Sequence, residues 1–153
     1  MANPLMSTSI PLGQWVDTLL DTIFCQSDDA LAMSTYEQFV SVDLFYRQHP
    51  LKRLVSTVSD RSRINHDQYN YTQLYETFKE ARKKNVIKTQ SNDEVHRWDA
   101  PEGNGAGCVA HMSHFTLTNK ETGEETKCSS LTLANVRVND GKRMLVELTE
   151  VLN

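Results

Sequence analysis

The chain has 153 residues, of which 39% are hydrophobic and 24% charged, and its formal net charge is −4 at pH 7. This length fits one domain with a single core, and an acidic balance without a long basic run argues against a nucleic-acid or anionic-membrane partner. The three cysteines have no CxxC spacing and no histidine at metal spacing, so a disulfide framework and a structural zinc site are not expected. Neither a signal peptide nor an apolar run of about 18 residues is recognisable, and we expect a cytoplasmic protein.

The first part of the chain has helical periodicity. Residues 1–10 are predicted to form a flexible tail, and residues 11–153 a single domain. After Pro11, a wide apolar stripe at helical spacing predicts a first helix with Trp15, Val16, Leu19, Leu20, Ile23 and Phe24. Ser27, Asp28 and Asp29 are typical of the start of a second helix.

The segment 36–49 fits two kinds of structure. Its apolar residues have helical spacing at Tyr36, Phe39, Val40 and Leu44, but they also alternate as in a strand at Val42, Leu44 and Tyr46. We favour a helix that ends near Pro50, because the residue before a proline avoids helical angles. Three short elements are predicted next, a short helix or turn, an edge strand and a turn, over residues 51–58, 60–64 and 65–68.

The clearest helix of the sequence follows. Its apolar positions repeat at i, i+1, i+4 and i+7 from Leu74 onward. Asn70 lies three residues before Gln73, as in a capping box, while Thr72 is a competing N-cap. Asn85 is the predicted C-terminal stop.

The last third of the chain is rich in strand-forming residues. Residues 86–98 predict one strand, which ends in a loop over 99–105 that contains Pro and Gly. Three more strands of about ten residues each fill the region 107–151, and turns divide them at 119–123 and 139–141. Asp-Gly in the second turn is a strong hairpin signal, because its glycine accepts positive φ. Helices followed by long strands predict an α+β fold with helices against one face of an antiparallel sheet.

The turn lengths assign the residues of the last three strands to two faces. We assume a two-residue loop at Asp140-Gly141 and a loop of two or four residues at 120–123, because opposite residues then share a face. The first face holds Met112, His114, Leu131, Leu133, Asn135, Met144, Val146 and Leu148. The second face holds Val109, His111, Ser113, Phe115, Thr132, Ala134, Val136, Leu145, Glu147 and Thr149.

The composition of the two faces predicts different uses. The first face combines large apolar side chains with His114 and Asn135, as the wall of a small-molecule pocket would. The second face is too apolar for water alone, and we predict that it forms a homodimer surface. His111 and Glu147 on this face fit two interpretations, an acid–base pair or an interface or solvated cross-strand contact. A one-residue error in either turn would exchange these assignments.

Two stretches resemble the nuclear-transport-factor-two-like superfamily, which includes SnoaL-like polyketide cyclases, ketosteroid isomerases and scytalone dehydratases. One is the block Asp60–Asp67 leading into the helix 72–84, and the other is the final hairpin at Asp140–Met144. The resemblance covers roughly residues 12–151. It implies a cone-shaped α+β fold in which N-terminal helices pack on a curved antiparallel sheet, and it points to the SnoaL-like polyketide cyclase branch.

The resemblance also implies where functional residues lie. The isomerase members have a base just past the first short strand, which falls here on Asn65 or His66. Their pocket acid on the penultimate long strand corresponds to Asn135, an amide that can donate a hydrogen bond but not a proton. Those enzymes also have a tyrosine in the first helix, where this chain has Trp15, so an isomerase of that type is not expected.

The candidate site combines these positions with the first face. We predict His66, His114 and Asn135 as catalytic residues, since imidazole titrates near neutral pH and an amide can polarise a carbonyl. The predicted substrate-binding residues are Asn65, Asp67, Tyr69, Met112, Leu133, Met144, Val146, Leu148 and Trp15. Two plainer interpretations compete, in which His66 belongs to an exposed turn and His114 is a core histidine.

Two functional hypotheses follow. The first is a cofactor-free cyclase, isomerase or dehydratase that acts by acid–base chemistry on an apolar, oxygenated, polyketide- or terpenoid-like molecule. Because the sequence has no glycine-rich phosphate loop and no clustered metal ligands, neither a cofactor nor a metal is expected. The alternative is a non-catalytic ligand-binding or dimerisation module of the same fold.

Overall fold

The computed structural model describes residues 3–49 and 67–153, which form three helices and six strands. After a 3-10 turn at Pro4–Met6, the helices are α1 (Leu12–Cys25), α2 (Asp29–Phe39) and α3 (Tyr71–Lys84). The strands are β1 (Val40–His49), β2 (Asp67–Tyr69), β3 (Asn85–Asp99), β4 (Gly107–Asn119), β5 (Glu125–Asn139) and β6 (Lys142–Leu152). The predicted α+β fold is confirmed.

The six strands form one mixed sheet in the order β2-β1-β6-β5-β4-β3. All neighbouring pairs are antiparallel except β1 and β6, which run parallel. The prediction of a purely antiparallel sheet is therefore wrong at this pair. This error has its origin in the segment 36–49, for which we favour a helix. The helix ends at Phe39, and residues 40–49 form β1 instead. The β-branched and aromatic residues of this segment pair with β6, and that tertiary pairing overrides the helical spacing.

Local signals at the helix ends are confirmed. The Asp28 carboxylate accepts the backbone N–H of Leu31 at the start of α2. Asn70 and Gln73 form the predicted capping box at the start of α3. The elements predicted over 51–64 lie outside the described residues. Gln68, assigned to a turn, belongs to β2.

The N-terminal segment packs against α1 and is not a loose tail where it is described. Leu5 is buried, and its carbonyl accepts the indole N–H of Trp15 at 2.9 Å. The carbonyl of Ile10 accepts a hydrogen bond from the guanidinium of Arg143. The prediction of a flexible tail is wrong for these residues.

The hairpin between β5 and β6 has the predicted turn but not the predicted register throughout. Asp140 and Gly141 have φ values of 50° and 76°, as a two-residue type I′ turn requires. Arg137 faces Met144 as predicted. A β-bulge at Val146 then shifts the pairing by one residue, and Leu148 moves to the second face.

The three helices cover the second face of the sheet. Its residues Val109, His111, Ala134, Val136 and Leu145 are buried in the core, whereas Leu133 on the first face is 45% exposed. The predicted homodimer surface on the second face is therefore wrong, because α1 and α3 occupy that side.

The four-residue loop at 120–123 and the pairing of β4 with β5 agree with the prediction. The prediction of which β4 and β5 residues share a face is therefore confirmed. The prediction that the helices cover the first face is wrong, because they cover the second.

Candidate functional site

A cavity of about 730 Å³ lies between the helices and the second face, and we call it the helix-side cavity. Such a volume is sufficient for a small organic ligand. Most of its wall is apolar and comes from α1, α3, β4 and β6: Leu20, Phe24, Leu74, Phe78, Phe115, Leu117 and Leu152. Two groups of polar side chains interrupt this wall, one at Asp17 and one at Glu150.

The first polar group is centred on the Asp17 carboxylate of α1. Its Oδ1 atom accepts the amide N–H of Asn92 at 2.5 Å and lies 2.7 Å from Nδ1 of His111. The hydroxyl of Ser113 in turn donates to the amide oxygen of Asn92 at 2.6 Å. Asn92 and His111 thus approach the same carboxylate oxygen, and no described residue forms a hydrogen bond with Oδ2. Because Asp17 lines the cavity and its side chain is 35% exposed, the second oxygen can accept a ligand proton.

His111 supports this carboxylate from behind. The ring is 1% exposed and does not belong to the cavity wall. Its Nδ1 is close to Asp17, although the contact is not aligned as a hydrogen bond, and its Nε2 has no hydrogen-bond partner among the described residues. His111 therefore packs against Asp17 from behind and does not line the cavity.

The second polar group is a buried carboxyl on β6. The hydroxyl of Tyr46 donates to Oε2 of Glu150 at 2.8 Å, and the Ser130 side chain also forms a hydrogen bond with this carboxyl. Burial raises the pKa of Glu150, and these two hydrogen bonds only partly oppose the effect. Burial, with the Glu150 carboxyl next in effect, also raises the pKa of Tyr46. Because Tyr46 donates its single O–H to Glu150, the proton that this pair can offer to a ligand in the apolar cavity is that of the Glu150 carboxyl.

Glu150 makes the stability of the protein depend on pH, and Glu150→Gln is expected to remove that dependence. In the unfolded chain the carboxyl ionises from about its model value of 4.5 upward, while the folded protein holds it neutral until the pH reaches its raised pKa. The wild-type protein therefore loses up to about 1.4 kcal/mol of stability per pH unit between these two values. Urea unfolding at several pH values should show the variant and the wild type closest near pH 4 and the variant increasingly more stable toward neutral pH. A constant difference would contradict a neutral buried carboxyl.

The structure places most of the predicted site residues outside the helix-side cavity. His114, Met112, Leu133, Asn135 and Met144 lie on β4, β5 and β6 on the first face, which the helices do not cover. His114 is exposed and lines a shallow groove with Lys88 and Lys127. The prediction that this face lines the helix-covered pocket is wrong, because the sheet packs against the helices through its other side.

The remaining predicted residues are dispersed. Trp15 and Leu148 are buried in the core, Val146 is at the bulge in β6, and Tyr69 packs against Tyr46 with ring centroids 5.6 Å apart. Asn65 and His66 lie outside the described residues, and of Asp67 only the backbone in β2 is described. A role for His66 stays a prediction.

Sequence reasoning missed the residues that the cavity brings together. In the sequence, Asp17 lies on the polar side of the amphipathic first helix, and Asn92 and Glu150 belong to no motif. His111 was noted as a possible acid–base residue, but its partner is Asp17 and not Glu147.

Among residues 3–49 and 67–153, no cluster of three His, Cys, Asp or Glu side chains could hold a metal ion, and no helix is long and apolar enough to cross a bilayer.

Comparison with known proteins defines the class of fold. No family model and no curated protein matches the sequence, but solved structures match nearly the whole chain. A conserved protein from Planctomyces limnophilus superimposes with a TM-score of 0.65 at 10% identity, covering 92% of this chain and 91% of that one. The chain thus shares the fold of that protein and, as the next comparison shows, of a protein of the nuclear-transport-factor-two-like superfamily.

Two further structures make the class more specific. A protein of that superfamily from Salmonella enterica has a TM-score of 0.56 at 11% identity, covering 91% of this chain and 89% of its own. A SnoaL-like family protein from Agrobacterium tumefaciens has a TM-score of 0.53 at 8% identity, covering 93% and 97%. The resemblance to SnoaL-like proteins is confirmed at the level of the fold.

Proposed function

We propose that the chain binds an uncharged, apolar, oxygenated small molecule in the helix-side cavity and moves a proton on it, as a cofactor-independent isomerase, cyclase or dehydratase. The observation that carries the proposal is the Asp17 carboxylate, which has one oxygen held by the hydrogen bond from Asn92, beside the buried His111 ring, and the other open to an apolar cavity. A carboxylate held in this way can act as a general base.

The two polar groups suggest complementary roles. Asp17 removes a proton from a carbon next to a carbonyl, so a C–H bond breaks and an O–H bond forms on the carboxyl. The negative charge moves to the carbonyl oxygen, where the protonated Glu150, which accepts the hydroxyl of Tyr46, can stabilise it by donating a hydrogen bond. Return of the proton to another carbon completes an isomerisation. In a dehydration, the C–O bond to a hydroxyl on the β-carbon breaks instead, and the hydroxyl takes the proton from the Asp17 carboxyl and leaves as water.

Filling the cavity is expected to prevent binding. Ala81 of α3 lines the cavity, and Ala81→Phe places a ring in the space that the ligand needs. The affinity for 2-tetralone, a bicyclic apolar ketone, should fall about tenfold or more, which corresponds to at least about 1.4 kcal/mol. The measurement is a titration followed by ¹H–¹⁵N NMR.

The matched control for this experiment is Glu76→Phe. Glu76 lies on the same helix and its side chain is 57% exposed, so its replacement should leave the affinity unchanged. Binding of 2-tetralone by Ala81→Phe with wild-type affinity would contradict a ligand site in the helix-side cavity.

A second candidate function is association through the first face of the sheet. Trp98 is 57% and Leu133 45% exposed there, whereas large apolar side chains of a monomer are more often covered. A native mass spectrum of the same preparation reports the mass of the assembly. A monomeric mass at micromolar concentration would remove this candidate and leave the cavity proposal in place.

A further inference from the structure

A bulge in β3 places an amide side chain in the wall of the helix-side cavity. Thr89 pairs with Phe115 and Asn92 pairs with Ser113, so three steps along β3 correspond to two steps along β4. The extra residue keeps both Thr89 and Asn92 on the side that the helices cover, whereas a regular strand would point one of them away. The bulge therefore brings the Asn92 amide opposite the Ser113 hydroxyl.

The direction of the hydrogen bonds between these side chains is determined by Asp17. A carboxylate oxygen accepts hydrogen bonds and has no proton to donate, so the amide of Asn92 must turn its nitrogen toward Asp17. The amide oxygen then faces Ser113 and needs a donor. Ser113 has one hydroxyl proton, and its contact of 2.6 Å with this oxygen uses it. Every proton of this three-residue chain thus points toward Asp17.

Ser113 is the donor that keeps the amide in this orientation. The Oδ1 atom of Asn92 accepts no hydrogen bond from any other described residue. Without the hydroxyl of Ser113, this partly buried oxygen would lose its partner, which favours side-chain rotamers in which the amide leaves Asp17. A base must aim its free lone pair at the proton that it removes, and a small misplacement lowers the rate strongly.

We infer that Ser113 is a positioning residue for the Asp17 base and acts on it through the amide of Asn92. The inference rests on the proposed function, because it explains how one oxygen of Asp17 is held while the other stays open to a ligand. Ser113 also lines the cavity. Its proton is already donated to Asn92, so its contribution is to orient the base and not to donate a hydrogen bond to the ligand.

The first test follows the side-chain amide of Asn92 by ¹H–¹⁵N NMR in the ligand-free full chain. In the wild type, the amide proton bound to Asp17 should resonate well apart from the other proton on the same nitrogen. Ser113→Ala should bring the two resonances closer, whereas Ser113→Thr keeps the hydroxyl and should retain the wild-type pattern. The matched control Ser129→Ala removes a hydroxyl opposite His114 of the first face and should change nothing. An unchanged Asn92 pattern in Ser113→Ala would overturn the inference.

The second test asks whether Ser113 acts through Asn92, and it measures by mass spectrometry how fast bound 2-tetralone incorporates solvent deuterium. Ser113→Ala should slow incorporation about threefold to tenfold, the usual contribution of one hydrogen bond, with little change in affinity. Asn92→Ala should slow it at least as much, and the double variant should be no slower than Asn92→Ala alone. Losses that multiply in the double variant would overturn the inference. Absence of incorporation by the wild type would contradict the proposed function instead, and the Asn92 resonances of the ligand-free protein would still decide the role of Ser113.

Discussion

Asp17→Asn is expected to slow the exchange of solvent deuterium into bound 2-tetralone by about 10²–10⁴-fold, the usual contribution of a general base. Exchange requires removal of a C–H proton next to the carbonyl, and the asparagine amide cannot accept it. Asparagine keeps the shape of the side chain and can still contact Asn92 and His111. Binding should therefore change much less than exchange. Mass spectrometry of the ketone recovered from deuterated buffer gives the rate, after subtraction of the reaction in buffer alone.

The matched control is Asp21→Asn, one turn further along α1. Asp21 also lines the cavity, but it is an exposed carboxylate that accepts a hydrogen bond from Thr89 and makes no contact with His111. Its replacement removes the same charge and should leave exchange near the wild-type rate. An equal decrease of the exchange rate in the two variants would mean that exchange depends on the negative charge of the cavity and not on the particular position of the Asp17 carboxylate. Unchanged exchange in Asp17→Asn would remove Asp17 as the base.

The features that sequence predicted well are those determined by neighbouring residues. The type I′ turn at Asp140-Gly141 follows from two residues that accept positive φ. The capping box of α3 follows from Asn70 and Gln73, which bond to each other's backbone. The register of β4 with β5 follows from the length of one loop. These features need no knowledge of how the rest of the chain folds.

The choice of the buried face could not be made in the same way. Both faces of the last three strands carry apolar residues, and their composition does not reveal which one the helices cover. The bulge at Val146 contributes to the difference between the faces, because it moves Leu148 to the face that the helices cover. A bulge has no sequence signal here, since Val146 resembles any other strand residue. The wrong choice of face also prevented prediction of the site. Asp17 comes close to His111 and Asn92 only because α1 packs on the second face.

One polar residue of the sequence has a structural role that its neighbours do not suggest. Arg82 lies in a basic run at the end of α3, where a solvated cation near the helix terminus is the ordinary expectation. Instead, its side chain is buried. It donates hydrogen bonds to the carbonyls of Ile23, Phe24 and Gln26 and pairs with Asp29. The guanidinium thus satisfies carbonyls that the end of α1 leaves without partners and joins all three helices.

Arg82→Met is expected to lower the free energy of unfolding by about 3 kcal/mol. Methionine fills much of the volume but donates nothing, so buried carbonyls at the end of α1 lose charged donors whose hydrogen bonds contribute about 1.5–3 kcal/mol each. The salt bridge adds little to this figure, because the Asp29 side chain is 67% exposed. Urea unfolding followed by circular dichroism gives the change. Since α1 carries Asp17, Thr18 and Phe24 of the cavity wall, ketone binding should weaken as well.

Two further variants separate the geometry of the guanidinium from its charge. Arg82→Lys keeps the charge, but a single ammonium cannot reach three carbonyls that a planar fork spans, so roughly half of the loss should remain. Lys79→Met removes a cation from an exposed position of the same helix and should leave the unfolding midpoint unchanged. If Arg82→Lys proved as stable as the wild type, charge alone would hold the end of α1, and the fork-shaped contact would have no energetic role. The wall that carries Asp17 would then depend on helix packing and not on this side chain.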